Sequence, residues 1–260
     1  MQTERVINHI VDWLGDYCEQ SGLNGYVAGI SGGVDSAVTS TLCARTGRPT
    51  RVLILPIHQD PDQVTLAESH LDWLTSRYAN VTPVRIDLTP VLEAFVRAVP
   101  DIADDDLTLA NTRSRLRMVT LYAQAGRHGL LVAGTGNKVE DFGIGFFTKY
   151  GDGGVDIAPI ADLLKTEVYG LARHLEIRPD IIRTPPTDGL WPDNRTDEDQ
   201  IGATYPELEW AMEFEDQAAD ETGLTSRQQE VLAIYRRLNH AARHKMEPIP
   251  TCPVPPELRS

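Results

Sequence analysis

The chain has 260 residues, of which 41% are hydrophobic, and a formal net charge of −14 at pH 7. A chain this acidic would repel the phosphates of nucleic acid unless its basic residues were clustered, and it has no run of about 18 apolar residues that could span a membrane. The N-terminus lacks the apolar core of a signal peptide and the three cysteines, Cys18, Cys43 and Cys252, form no C-x-x-C pair, so we expect a cytoplasmic protein with reduced thiols and no zinc site.

Strands alternate with helices through the first half of the chain. Apolar residues at helical spacing run from Val6 to Leu14, which predicts an opening amphipathic helix. Short apolar runs then predict four strands, with helical periodicity between them. The predicted strands are 25–30, 51–57, 83–88 and 129–135, and the predicted helices are 36–45, 62–78, a short helix from Pro90, and 107–125. This order predicts an α/β fold with a doubly wound, mostly parallel, Rossmann-like sheet.

The pattern after residue 160 is almost entirely helical, which predicts additional C-terminal helices. We expect residues 1–260 to form one domain, in which ligands bind at the carboxyl ends of the strands. That rule selects the loops 31–36 and 135–157 as candidate binding sites. The predicted C-terminal helices are 162–175, 206–220 and 226–244, followed by a proline-rich, extended tail, 246–260.

The stretch GISGGVDS, residues 29 to 36, joins the first predicted strand to the next helix. Its small residues allow close approach of the backbone to an anion, and a helix N-terminus presents free N–H groups. It lacks the lysine of a Walker motif and is too short for a dinucleotide fingerprint. Asp35 would repel a phosphate, and a Mg²⁺ ion bound between them would remove that conflict. An ordinary turn with a serine N-cap is the alternative interpretation.

The complete S-G-G-x-D-S pattern resembles the pyrophosphate-binding loop of the N-type ATP pyrophosphatases, enzymes that split ATP into AMP and pyrophosphate. The resemblance implies a sheet of the adenine-nucleotide alpha-hydrolase type. It also implies that the loop holds the leaving pyrophosphate and not a transferred γ phosphate.

The segment Gly134 to Leu175 is more specific than the first loop. Five glycines between residues 143 and 154 are typical of an irregular loop that approaches a ligand. Lys149, Asp152 and Asp156 lie among or beside them, where charges favour a polar partner; a solvated loop is the alternative. Four motifs resemble the NAD synthetase family: GFFTKYGDGGVDIAPIADLLKTEVYGLA from Gly145, NTRSRLRM at 111–118, PTDGLWPDNRTDEDQIG at 186–202 and HKMEPIP at 244–250.

This resemblance covers nearly the whole chain and implies a reaction. ATP adenylates the carboxylate of nicotinic acid adenine dinucleotide, and pyrophosphate leaves. Ammonia then attacks the acyl-adenylate, which gives NAD and AMP. A carboxylate is a poor acceptor for a nucleophile because its leaving group would be oxide, and adenylation supplies a better one. Catalysis should then depend on positioning and on charge stabilisation at phosphorus.

The resemblance also implies roles for individual residues. Asp35 and Glu140 would bind Mg²⁺, and the catalytic residues would be Asp35, Asp156 and Lys165. The ATP-binding residues would be Gly29, Ile30, Ser31, Gly32, Gly33, Val34, Asp35, Ser36, Thr135, Lys165 and Thr187. The residues that hold the deamidated dinucleotide would be Arg115, Lys149, Asp156, His244 and Lys245. Asp156 is the first candidate for removing a proton from ammonia.

Three alternatives remain open at this stage. Another amidating ATP pyrophosphatase, similar to GMP synthetase, would use the same loop, 29–36. A tRNA-thiolating enzyme would use it too, but this chain lacks the cysteine chemistry and the basic surface that such enzymes usually need. A non-catalytic nucleotide-binding module would not need Asp35, Glu140 and the 143–154 loop together.

The synthetase motifs begin at residue 29, so we expect free ammonia as the nitrogen donor, with a separate glutaminase partner as the alternative. The family also implies a homodimer.

Overall fold

The computed structural model describes residues 1–187, 195–218 and 220–259. Within these ranges four parallel strands form a sheet: β1 (Gly25–Gly29), β2 (Thr50–Ile54), β3 (Val81–Arg85) and β4 (Leu130–Val132). Their spatial order is β3-β2-β1-β4. A parallel bridge beyond β4 pairs Ala133 with Ile157, so the chain returns to the sheet after the glycine-rich segment.

Alternating side chains along the strands divide the sheet into two apolar faces. Tyr26 and Ala28 of β1 pack into one core with the first two helices, whereas Val27 packs into a second core with the fourth and fifth. The third helix covers β2 on the same side as the first two. These helices are α1 (Thr3–Gln20), α2 (Val34–Arg45), α3 (Pro61–Arg77), α4 (Thr89–Ala98) and α5 (Asp106–His128). The sheet is therefore covered on both faces.

The C-terminal helices divide between two cores. The first two of them complete the core beneath α1 and α2. The last three form a separate core with a π-helical turn, Val139–Ile144, which follows β4. These helices are α6 (Lys165–His174), α7 (Pro179–Arg183), α8 (Asp197–Ile201), α9 (Tyr205–Asp216) and α10 (Ser226–Met246). The core formed by α8, α9, α10 and the π-helical turn places a helical layer beside the carboxyl end of β4.

The structure confirms the predicted α/β class, the doubly wound parallel sheet and the C-terminal helices. Every strand ends earlier than predicted: β1 ends at residue 29 instead of 30 and β2 at 54 instead of 57, β3 covers Val81–Arg85 instead of 83–88, and β4 covers Leu130–Val132 instead of 129–135. The apolar run predicts a strand that starts at Pro83, whereas Pro83 lies inside β3, an edge strand where a missing N–H is tolerated. The short helices α7 and α8 were not predicted, because five residues are too few to show a period. Within the described ranges, no helix is long and apolar enough to cross a membrane.

Candidate active site

The loop between β1 and α2 folds around a pair of serines. Ser31 Oγ lies 3.1 Å from Ser36 Oγ and accepts a hydrogen bond from the Gly33 N–H at 3.2 Å. Ser36 Oγ donates to Gly33 O at 2.9 Å. Gly33 is the N-cap of α2 and provides no side-chain cap, so the alternative interpretation as a serine N-cap is wrong. An uncapped helix N-terminus of this kind suits an anion.

Gly32 is the position in this loop where a side chain is hardest to accept. Its φ is +92°, and a Cβ would lie 2.9 Å from Gln63 O of α3. We predict that Gly32→Ala lowers the free energy of unfolding by about 1–3 kcal/mol, as measured by urea denaturation. Gly47→Ala is the matched control, because Gly47 has φ +74° and nothing within 4 Å of the added Cβ. Equal losses in the two variants would contradict a role for close packing between the loop and α3.

Lys165 connects the first loop to the segment after β4. It is the first residue of α6 and is 2% exposed. Its Nζ donates to Asp35 Oδ2 at 2.5 Å and to Glu140 Oε1 at 2.9 Å. Both carboxylates are largely enclosed, with 16% of each side chain exposed. Three side chains that the sequence singled out therefore meet at one buried point.

Two further side chains complete this cluster. Asn137 Nδ2 donates to Asp35 Oδ1 at 3.2 Å, and Asn137 Oδ1 accepts from the Glu140 N–H at 3.1 Å. Tyr205 OH donates to Glu140 Oε1 at 2.5 Å, and the Tyr205 ring centroid lies 4.7 Å from Lys165 Nζ. Each carboxylate is thus held by the lysine and by one neutral donor, which limits its rotation.

Burial and charge act against each other in this cluster. Burial alone would lower the pKa of the Lys165 ammonium, but the two carboxylates outweigh it and raise that pKa. Burial would raise the pKa of Glu140, yet the charge of Lys165 and the hydrogen bond from Tyr205 lower it overall. At Asp35 burial prevails and raises the pKa, although Lys165 opposes the change. Lys165 therefore stays charged and holds an ionised Glu140.

The donor set fits a magnesium ion. The described residues contain no group of three or more His, Cys, Asp or Glu side chains that could hold a metal ion. Asp35 and Glu140 nevertheless both contact Lys165 Nζ, so a small cation bound beside them would be within reach of both. Mg²⁺ usually takes one or two carboxylates and completes its octahedron with water and phosphate oxygens. The two carboxylates beside the loop 29–36 would supply the protein ligands for such an ion.

The end of α10 packs against the glycine-rich segment. Lys149 Nζ donates to His244 O at 2.6 Å, and Arg115 Nε donates to Lys149 O at 3.4 Å. Lys245 Nζ donates to Gly145 O and, at 2.6 Å, to Phe147 O. Burial lowers the pKa of Lys245. The structure therefore brings together four of the five residues predicted to hold the dinucleotide.

The fifth, Asp156, lies at the sheet. Its Oδ2 accepts a hydrogen bond from the Val132 N–H at 2.8 Å, and its Oδ1 accepts one from Tyr122 OH at 3.0 Å. The carboxylate thus fixes the end of β4.

Thr135 and Thr187 lie on two different loops, one after β4 and one before α8. Thr135 is half-buried two residues before Asn137. Thr187 Oγ1 donates to Arg195 O at 3.1 Å. Between that pair, residues 188–194 of the motif 186–202 lie outside the described residues.

Comparison with known proteins assigns the family. The sequence model of the family described as NAD synthase matches residues 6–249. The chain belongs to the NAD synthase family. The NH(3)-dependent NAD(+) synthetase of Methanosarcina mazei is 36% identical to this chain over an alignment of 264 residues, gaps included. The alignment covers 96% of this chain and 99% of that protein.

Solved structures agree with this NAD synthase assignment. The NMN synthetase of Francisella tularensis superposes with a TM-score of 0.86 at 32% identity, covering 97% of this chain and 99% of the other. The NH3-dependent NAD synthetase of Campylobacter jejuni superposes with a TM-score of 0.78 at 23% identity, covering 97% and 100%. The second likeness, at this identity, concerns the fold alone.

The sequence analysis did not assign a role to several residues that contribute to the site of this NAD synthase family member. Asn137 and Tyr205 belong to the carboxylate cluster. Ser114 Oγ donates to Asp152 Oδ1 at 2.7 Å, and Asn111 Oδ1 accepts from Thr148 Oγ1 at 2.7 Å, so α5 fastens the glycine-rich segment. The motif NTRSRLRM contained the only available signal for Asn111 and Ser114, namely polar residues with helical spacing beside Arg115.

Proposed function

We propose that the protein is an ammonia-dependent NAD synthetase, a ligase that forms a carbon–nitrogen bond. The nicotinate carboxylate of the deamidated dinucleotide attacks the α phosphorus of ATP, and the bond to the leaving pyrophosphate breaks. Ammonia attacks the acyl-adenylate, and AMP leaves. The observation that supports this most strongly is the convergence of Asp35, Glu140 and Lys165 beside the glycine loop of a chain in the NAD synthase family.

The proposal gives the cluster a role in adenylation. Asp35 and Glu140 would hold Mg²⁺, which, when bound, offsets the negative charge of the phosphates. Ser31, Ser36 and the backbone of the loop 29–36 would bind the leaving pyrophosphate. Lys165 adds a buried positive charge that needs no reorganisation as charge develops on the leaving group. Thr135 and Thr187 are proposed to contact ATP from the two flanking segments.

The second group of residues would bind the deamidated dinucleotide. Lys149, Arg115 and the end of α10 surround the backbone of residues 145–149, so a ligand there would be enclosed by charges from three parts of the chain. Asp156 would receive the proton that ammonia loses after its attack.

Lys149 offers a test of this division of labour. We predict that Lys149→Ala weakens binding of the deamidated dinucleotide by about tenfold and leaves ATP binding within twofold, because a charge-assisted hydrogen bond is lost at one ligand only. Isothermal titration calorimetry with each substrate measures both. Lys138→Ala is the control, because Lys138 pairs with the exposed Asp162. Equal loss for both ligands would contradict the assignment of Lys149 to the dinucleotide.

The nitrogen donor follows from the same proposal. We predict NAD formation with ammonium chloride and none with glutamine freed of ammonia. Because ammonium has no lone pair, the rate at fixed total ammonia should rise with pH as the free base increases, while ammonia remains below saturation. Comparable turnover with glutamine, with release of glutamate, would contradict a free-ammonia donor. Turnover with glutamine only after a second protein is added would indicate a partner glutaminase.

A second candidate is amidation of the deamidated mononucleotide. The superposition with the Francisella tularensis NMN synthetase, at a TM-score of 0.86 and 32% identity, favours it. Both reactions join ammonia to the same nicotinate carboxylate and need the same adenylation cluster. They differ in whether an adenylate moiety is bound beyond the nicotinate ribose phosphate. Competition between the two substrates distinguishes them.

The remaining features of the proposal concern the setting of the enzyme. Residues 1–260 would act as one synthetase domain, in the cytoplasm and as a homodimer, on small-molecule substrates. A GMP-synthetase-like activity is the alternative chemistry, and xanthosine monophosphate is the substrate that would reveal it. Size-exclusion chromatography with light scattering tests the dimer.

A further inference from the structure

Tyr205 contacts both the carboxylate and the lysine of the cluster from a different layer of the fold. It is the first residue of α9 and is 3% exposed. Its hydroxyl lies 2.5 Å from Glu140 Oε1, and the centroid of its ring lies 4.7 Å from Lys165 Nζ. A lysine over the face of an aromatic ring is attracted by the ring quadrupole. One side chain therefore contacts two charges of opposite sign.

The direction of the hydroxyl proton follows from the distances. Tyr205 OH lies 3.3 Å from Asp197 Oδ2, compared with 2.5 Å from Glu140 Oε1. A phenol has a single proton, so the shorter contact receives it.

A second residue of α9 supports the same region. Glu209 lies four residues after Tyr205 and therefore on the same face of the helix. Its carboxylate accepts hydrogen bonds from the Thr166 N–H at 2.8 Å and from Thr166 Oγ1 at 2.7 Å. Thr166 follows Lys165 in the first turn of α6. The inner face of α9 thus holds both Glu140 and the helical turn that presents Lys165.

We propose that Tyr205 is a positioning residue for adenylation, which fixes the Glu140 carboxylate through its hydroxyl and the Lys165 ammonium through its ring. This inference rests on the proposed function, since it assigns Tyr205 to the site that would bind Mg²⁺ and ATP. Glu140 has several rotatable bonds, and a charge-assisted hydrogen bond from a rigid phenol selects one orientation. Without it, the carboxylate would be free to turn toward Lys165 alone.

The test compares Tyr205→Phe with Tyr235→Phe. Phenylalanine keeps the ring and removes the hydroxyl, and Tyr235 is a buried tyrosine of the same helical core. We expect Tyr205→Phe to raise the Mg²⁺ concentration for half-maximal pyrophosphate release about tenfold, with the KM for the deamidated dinucleotide unchanged. The rise in unfolding temperature produced by Mg²⁺ and ATP should also be smaller. Tyr235→Phe should change neither quantity.

A double-mutant cycle with Glu140→Gln separates positioning from general stability. If Tyr205 acts through Glu140, adding Tyr205→Phe to Glu140→Gln should change the residual pyrophosphate release by less than twofold. A wild-type Mg²⁺ dependence in Tyr205→Phe would overturn the inference, as would full additivity with Glu140→Gln. An active wild-type enzyme with either result would leave the proposed function intact. An inactive wild-type enzyme would overturn the proposed function and this inference together.

Discussion

Asp35→Asn is expected to lower pyrophosphate release by at least about a hundredfold while the protein stays folded. The amide is a poor Mg²⁺ ligand and no longer pairs with Lys165, which donates to Asp35 Oδ2 at 2.5 Å in the wild type. The loop 29–36 would then lack the means to offset the charge of the phosphates. The measurement is pyrophosphate release from ATP in the presence of the deamidated dinucleotide, with circular dichroism as the check on folding.

Asp162→Asn is the control for that experiment. Asp162 pairs with Lys138, and its side chain is 96% exposed, so an exposed ion pair is lost there with little effect on stability. Near wild-type pyrophosphate release by Asp35→Asn at low Mg²⁺ would contradict the metal-binding role. We expect Glu140→Gln to behave like Asp35→Asn. The combined variant should lose little more than either single one, because both serve one cluster.

Lys165→Met is expected to have the largest effect on stability. It removes the ammonium that pairs with both Asp35 and Glu140 and leaves the two largely enclosed carboxylates without it. Breaking a buried ion pair from one side costs about 3–5 kcal/mol, which urea denaturation measures. Pyrophosphate release should be lost as well. Lys138→Met, at a partly exposed pair with Asp162, should cost less than about 1 kcal/mol.

The pH dependence of Lys165→Met gives a further check. Without the ammonium, burial and mutual repulsion raise the folded-state pKa of the two carboxyl groups above their unfolded values. Groups with a raised folded-state pKa contribute stability below the unfolded pKa and lose it as pH rises through the folded pKa. The deficit relative to wild type should therefore shrink as the pH is lowered. A deficit that does not change with pH would contradict unpaired carboxylates as its cause.

Neutralising the same carboxylates tests the cause independently of pH. Adding Asp35→Asn and Glu140→Gln to Lys165→Met should restore much of the lost stability, because no buried charge is left unpaired. The triple variant should remain inactive. A triple variant as unstable as Lys165→Met would show that the lysine stabilises the fold through packing and not through charge.

Local pattern was sufficient for most of the fold. Short apolar runs mark the buried strands, and a period of 3.6 marks the long helices, so β1, α2, α5 and α10 could be placed within a few residues. Asp35 was also accessible, because its carboxylate lies in a loop of small residues where a carboxylate conflicts with phosphate. The strand–helix order then placed the two candidate loops at one edge of the sheet.

Local sequence pattern could not predict which distant segments contact one another. Lys165 and Asp35 are 130 residues apart, and only the resemblance to a family connected them. Tyr205 begins α9, and nothing in its local pattern distinguishes it from a core tyrosine. The π-helical turn Val139–Ile144 gave no recognisable period, although it is the element that aims Glu140 at the cluster. Tertiary packing determines these features.

The most direct test of the central claim is product analysis with the purified chain. ATP, Mg²⁺, ammonium chloride and one acceptor are incubated together, and the products are separated by chromatography and identified by mass spectrometry. The acceptors are nicotinic acid adenine dinucleotide, nicotinic acid mononucleotide and xanthosine monophosphate. We predict NAD, AMP and pyrophosphate in equal amounts with the dinucleotide, at a kcat/KM well above that for the mononucleotide. A preference for the mononucleotide, or amidation of xanthosine monophosphate without NAD formation, would contradict the claim.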